Sequence, residues 1–265
     1  KNQQKKYKKY YNQLAQYPLQ AYLTYKEYRK KLAYLKEQQV LEFFEDYKNT
    51  PYEGWLRVRW LNKMAKKGHW QKYLNAYTPQ KSIERQCHYA NELLKTDKRE
   101  QAFKQVSDLW LVAKSQPKAC DQLFTAYKKA GLMTDKLIWQ RIKLTMDKGR
   151  TSLSSYLARS LNKTDQQWVK EWIAIYHKPE RVLNSKLLKK NHPVKSTIQI
   201  HAVQRMVRKS PEKAMKLLAA LQKNNSFTMT ERDKMYRSIG MKLAYKHGDN
   251  AWFWLNKISD KNSDE

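Results

Sequence analysis

The stretch Thr164-Asp165-Gln166-Gln167-Trp168-Val169-Lys170-Glu171-Trp172-Ile173-Ala174-Ile175-Tyr176 places large rings at Trp168, Trp172 and Tyr176, with Val169 and Ile173 beside them on one broad face. That i, i+4, i+8 spacing belongs to an α-helix with one apolar stripe, whereas a strand would alternate every second residue. Apolar periodicity is first of all a packing signal, so these rings are expected in a core rather than around a ligand.

The same period recurs on both sides. Ala102, Val106, Leu109, Trp110 and Ala113 form one stripe, Ala214, Leu217, Leu218 and Leu221 another, and Leu56, Trp60 and Met64 a third. From residue 82 onward, helix openings recur every 13 to 19 residues, near Ser82, Lys98, Pro117, Thr134, Thr151, Thr164, Pro179, Pro193, Pro211 and Thr228. Thr164 with Gln167 and Thr228 with Glu231 have capping-box spacing, and Pro211 follows Ser210 in the favoured first-turn position. Gly68, Gly131, Gly149 and Gly248 stand where a left-handed residue would close a last turn. Helices of about three turns, each with one apolar face, are not stable alone, so consecutive ones are expected to stack in antiparallel pairs. The residues therefore predict an all-α fold, an irregular superhelix or solenoid of short helix pairs; no tetratricopeptide signature recurs at the paired spacing near 33 residues. The predicted body covers residues 1–258, and the polar 259–265 reads as a tail or linker.

Composition agrees. The 265 residues include only six Gly and seven Pro, which disfavours a turn-rich β fold, while a 41% apolar share and nine Trp suffice for a packed core. No apolar run reaches the roughly 18 residues of a membrane span. Lys and Arg number 54 against 24 Asp and Glu, a formal +30, with clusters at Lys5, Lys6, Lys8 and Lys9, at Arg29, Lys30 and Lys31, and at Lys186, Lys189 and Lys190. Such a field draws polyanions, and nucleic acid, anionic lipid and acidic cell-wall polymer all qualify. The predominance of Lys over Arg weakens base-reading recognition, and a solvated helix back accounts for many lysines on its own.

The residues for chemistry are sparse. The six histidines are scattered without an i, i+4 pair, Cys87 beside His88 points about 100° away from it, and no glycine loop for phosphates exists, so neither a metal nor a nucleotide cofactor is expected. The acids Glu42, Glu45 and Asp46 read as salt-screened surface groups rather than a catalytic pair. Cations interleaved with aromatics at Trp55, Arg57, Arg59 and Trp60, continuing to Lys63, are the candidate contacts for a sugar or base, although Trp60 itself should pack inward. Cys87 and Cys120 admit one bridge or two quiet core thiols.

Taken in order, the helices resemble the N-terminal helical region of the soluble lytic murein transglycosylases. The likeness runs through Tyr17-Pro18-Leu19-Gln20-Ala21-Tyr22-Leu23-Thr24-Tyr25, Trp60-Leu61, Gly68-His69-Trp70, Cys87-His88-Tyr89, Leu109-Trp110-Leu111, Ser115-Gln116-Pro117-Lys118-Ala119-Cys120-Asp121-Gln122-Leu123-Phe124 and Arg141-Ile142-Lys143-Leu144-Thr145-Met146, and fades after about residue 180. The resemblance implies a right-handed superhelical scaffold in the periplasm, a removed signal peptide, and a lysozyme-like catalytic module elsewhere in the polypeptide. In that family the catalytic module cleaves between N-acetylmuramic acid and N-acetylglucosamine to give 1,6-anhydro products, using a Glu in a Glu-Ser pair. This sequence has no Glu-Ser pair and no Asn-Ala-Gly-Pro-Gly stretch, and Gly131-Leu132-Met133-Thr134 is only superficially like the catalytic Gly-Leu-Met-Gln, so no catalytic residue is assigned. The resemblance also implies that Cys87 and Cys120 form a disulfide and that the partners are peptidoglycan, the catalytic module and other cell-wall enzymes; Arg57, Arg59 and Lys63, singled out by their place among aromatics, are then the candidate glycan contacts. The alternative is a stand-alone basic solenoid for nucleic acid or a protein partner.

Overall fold

The computed structural model describes residues 10, 11, 13, 17 and 19–259; Pro18, the Lys5–Lys9 cluster and residues 260–265 of the expected tail lie outside the described residues. Among the described residues the fold is all-α, with no strand. They pack as two compact units: the chain up to Trp110 together with Gln116–Leu132, and Leu111–Ser115 together with the chain from Met133 onward.

In the first unit, α1 (Gln20–Lys31), α2 (Glu37–Asp46), α3 (Pro51–Lys67) and α4 (Trp70–Asn75) enclose Val40, Phe43, Phe44, Leu56, Trp60 and Met64, all 2% exposed or less. The inward face Leu56, Trp60 and Met64 is the one the spacing predicts. Helix α3 starts at Pro51 because the Thr50 hydroxyl accepts from the Glu53 N–H, and it stops at Gly68, whose φ of +69° only a residue without Cβ takes up freely. A second cluster in this unit joins α5 (Ile83–Lys95), α6 (Arg99–Lys104), α7 (Val106–Trp110) and α8 (Asp121–Lys129). Cys87 and Cys120 are bonded at its centre, fully buried. Ala102, Val106 and Leu109 are buried as expected, but the single stripe through Ala113 is corrected. The helix breaks at Gln105 and ends at Trp110, where the Gln116 side-chain amide donates to the freed Leu109 carbonyl.

The second unit contains α9 (Asp135–Asp147), α10 (Thr151–Ala158), α11 (Lys163–His177), α12 (Lys195–Lys209), α13 (Pro211–Gln222), α14 (Met229–Tyr245) and α15 (Ala251–Asn256). Trp168 and Trp172 are 2% and 0% exposed, so this stripe is core; Tyr176, the next member, is only half-buried. Capping follows the expected chemistry at Thr134, Ser210 and Thr228. At the last, the Thr228 N–H donates to Glu231 Oε2 (2.9 Å) and the Glu231 N–H donates to Thr228 Oγ1 (3.2 Å).

Four boundary expectations are corrected. Helix α11 begins at Lys163, because Asn162 Oδ1 accepts from the Asp165 N–H at 2.9 Å and takes the cap expected of Thr164. Pro179 opens a 3-10 stretch (Pro179–Leu183) rather than an α-helix, and α12 starts two residues beyond Pro193. At the end of α14 the left-handed residue is His247, with φ +53°, while the Gly248 N–H returns to the Leu243 carbonyl at 2.9 Å. Gly131 and Gly149 do close their helices with φ +73° and +70°. Ser259, the first residue of the expected tail, is held on α14 by its N–H and hydroxyl donating to Asp233.

Candidate binding grooves

The three cations singled out on α3 are placed very differently from one another. Arg57 is 12% exposed at its side chain; it pairs with Glu53, donates to the Ala76 carbonyl and lies 3.9 Å from the centroid of the Phe44 ring. Lys63 donates to the Leu32 carbonyl and sits over Trp60 at 5.1 Å, and burial lowers its pKa. These two bind α3 to the chain around it. Arg59 stays exposed, with one bond from Nε to the Tyr25 hydroxyl at 3.3 Å. One turn before it stands Trp55, 52% exposed, with its ring edge-on to Tyr25 and Tyr52. Trp55 and Arg59 thus form a small aromatic and cationic platform.

Among the described residues, the second unit holds a pair of grooves with polar and cationic linings. One, of about 760 Å³, lies between α10 and α11. Thr151, Ser152, Ser155, Gln166 and Gln167 supply hydroxyls and amides, Ala158, Val169 and Ile173 form apolar floor, and Arg159, Lys163 and Lys170 carry its charge. No carboxylate lines it. The nearby Asp165 faces elsewhere: it accepts from Trp139 Nε1 at 3.4 Å and meets His192 Nε2 at 2.8 Å. The arrangement suits a polar, chain-like ligand bearing negative charge: donors on the walls, apolar surface beneath, and no acid to repel it.

The other groove, of about 880 Å³, is lined from α9, α12 and α14. Lys143, Arg205, Arg208, Lys234, Arg237 and Lys242 outnumber Asp147, Glu231 and Asp233 there. Two of those acids serve the fold, Glu231 in the Thr228 capping box and Asp233 on Ser259. Desolvation raises the pKa of the third, Asp147, against the lowering pull of Lys143, Lys148 and Lys234. At the back, Trp172 Nε1 donates to His201 Nδ1 at 2.8 Å, and the Arg205 guanidinium lies 4.0 Å from the Tyr176 ring centroid. Desolvation, then Arg205 and Arg208, push the His201 pKa down to about 4.

Neither groove stands out in the sequence. Their residues come from helices that the chain order separates, and hydroxyls or lysines on a helix back look alike whether or not a second helix faces them. One signal could have found the back wall: Trp172 and Tyr176 on α11, and His201 and Arg205 on α12, are both i, i+4 pairs. Among the described residues no three His, Cys, Asp or Glu side chains gather to hold a metal, and no helix is long and apolar enough to cross a membrane.

A family model described as Cucumovirus coat protein matches residues 94–186, about a third of the chain; this span starts near the end of α5, runs through both units and coincides with neither. The soluble lytic murein transglycosylase of Escherichia coli strain K12 is 31% identical over 172 residues, and that of Salmonella typhimurium strain LT2 is 32% identical; each match takes in 64% of this chain and 26% of the relative. An inactive mutant of the lytic transglycosylase Slt from Pseudomonas aeruginosa superposes with a TM-score of 0.75 at 28% identity, over 96% of this chain and 41% of that one. The 70-kDa soluble lytic transglycosylase of Escherichia coli superposes with a TM-score of 0.76 at 24% identity, over 99% and 43%. The chain therefore spans about a quarter of the length of the curated relatives and about two fifths of the solved ones. Alike in sequence over most of its length and in fold over nearly all of it, this chain is a relative of the soluble lytic murein transglycosylases, matching a minority of their length.

Proposed function

We propose that the chain is a non-catalytic helical scaffold of a soluble lytic murein transglycosylase, holding peptidoglycan strands for a catalytic module of the same polypeptide. In this reading residues 1–258 serve as one scaffold domain, 259–265 as a linker, and the protein works in the periplasm with its signal peptide removed. The observation that carries the reading is the acid-free groove between α10 and α11, found in a chain whose relatives are named for acting on murein. A glycan strand presents hydroxyls and amides to Thr151, Ser152, Ser155, Gln166 and Gln167, and its peptide carboxylates to Arg159, Lys163 and Lys170. Trp55 with Arg59 offers a second, smaller contact, where a sugar face stacks on the exposed ring.

No turnover of its own is expected, since the sequence has no Glu-Ser pair. The test is retention of the purified chain on isolated sacculi at low and high salt, with released sugars followed in the same tubes. Retention that falls with salt, without 1,6-anhydro product, supports the reading; no retention at low salt removes the glycan-holding role. The alternative, a nucleic-acid solenoid, predicts co-purifying RNA that absorbs at 260 nm, and the Cys87–Cys120 bond favours an oxidising compartment over that reading.

A further inference from the structure

The groove between α9, α12 and α14 plays no part in that reading, yet its back wall is built rather than incidental. His201 is 6% exposed and lines the groove. Its Nδ1 accepts from Trp172 Nε1 at 2.8 Å, so in the neutral ring the proton must sit on Nε2. With its pKa held near 4, the ring stays neutral at ordinary pH and presents Nε2–H as a donor without charge. One turn along α12, the Arg205 side chain is fixed against Tyr176, and its Nε is buried without a hydrogen-bond partner. Lys143 and Lys234, both exposed, line the groove from α9 and α14, where each also attracts the Asp147 carboxylate. A buried unpartnered guanidinium N–H is costly, and a ligand oxygen in the groove relieves that cost.

We propose that this groove is a second binding site, specific for carboxylates, in which His201 and Arg205 orient the group and Lys143 and Lys234 attract it. The ligand we assign, the carboxylate-bearing peptide stem of a glycan strand, rests on the function proposed above; the carboxylate chemistry rests on the groove itself. His201 and Arg205 are here binding residues, and Trp172 positions the imidazole by fixing its tautomer.

The experiment titrates the full ¹⁵N-labelled chain with a disaccharide–tetrapeptide carrying free carboxylates, with the same molecule amidated, and with inorganic phosphate. The free-carboxylate probe should move the His201 imidazole nitrogens and the Arg205 Nε resonance, and amidation should weaken binding roughly tenfold. The surface pair Lys143→Gln and Lys234→Gln should weaken the probe several-fold and flatten its salt dependence, without touching the fold. His201→Gln, which keeps one acceptor and one donor, checks the imidazole; if it fails to fold, the lysine pair still decides. Unmoved His201 and Arg205 signals, equal affinity for the amidated probe, or a response to phosphate alone would each overturn the site. Sacculi retained by a chain whose groove ignores the probe would leave the scaffold reading standing and sink this one. Probe binding without sacculus retention would do the reverse.

Discussion

The two units carry their positive charge differently. In the first, the candidate cations are largely spent on the fold: Arg57 on Glu53, the Ala76 carbonyl and Phe44, and Lys63 on the Leu32 carbonyl. Its second cluster, between α5 and α8, is further tied by Cys87–Cys120. In the second, Arg159, Lys163 and Lys170 line a groove without a carboxylate, and Lys143 and Lys234 stand at the edge of another. A cation serves recognition only when no internal carbonyl or carboxylate holds it, so net charge alone does not locate a binding surface; the hydrogen-bond partners do.

The disulfide is where the contrast should break most strongly. Replacing Cys87 and Cys120 by Ala is expected to cost the first unit about 3 to 4 kcal/mol in the chain-entropy account, given their separation of 33 residues. Urea titration followed by tryptophan fluorescence measures it, and the second unit's groove resonances should not move.

For the second unit the matching expectation is in pH. Because the folded-state pKa of His201 is about 4, below the unfolded value near 6.5, its contribution is complete above pH 6.5 and is lost as pH falls towards 4. The loss is about 3 kcal/mol at most, and His201→Gln should remove that part of the pH dependence. Stability that is level from pH 7 to 4 in the native chain would show that the imidazole is not held neutral.

Glycine closures sharpen the comparison further. Gly131 in the first unit and Gly149 in the second both have positive φ, but a Cβ on Gly131 meets open space whereas one on Gly149 would come 2.2 Å from the Tyr176 hydroxyl oxygen. Gly131→Ala should therefore cost about 1 kcal/mol from backbone strain, and Gly149→Ala about 2 kcal/mol or more. Equal costs in thermal melts would mean that Tyr176 swings aside, loosening its stack with Arg205. The smallest effects should be at the caps: Thr50→Ala in one unit and Asn162→Ala in the other should each lose about 1 kcal/mol.

Much of this fold is legible in the sequence, because helix stripes and caps are local. Leu56, Trp60, Met64, Trp168 and Trp172 follow from spacing, and Thr134, Ser210 and Thr228 from capping chemistry. The misplaced boundaries are close contests. Asn162 caps as well as Thr164 and comes first, and His247 tolerates the left-handed region well enough to take it from Gly248. The break at Gln105 has no breaker residue in it; only the later course of the chain, with Gln116 on the Leu109 carbonyl, accounts for the end of that stripe. The grooves are hidden for a related reason, since they depend on which helix backs face each other. Arg57 and Arg59 look equivalent in the sequence, yet one is locked in and the other is exposed.

The central claim is that unpaired cations in the second unit gather an anionic cell-wall polymer. It is tested most directly by co-sedimentation with sacculi across a salt series, comparing the native chain with the Arg159→Gln, Lys163→Gln, Lys170→Gln triple variant, all three being exposed positions. The account predicts that the triple variant loses most of the low-salt retention while melting like the native chain. Undiminished retention with the same salt dependence would contradict it.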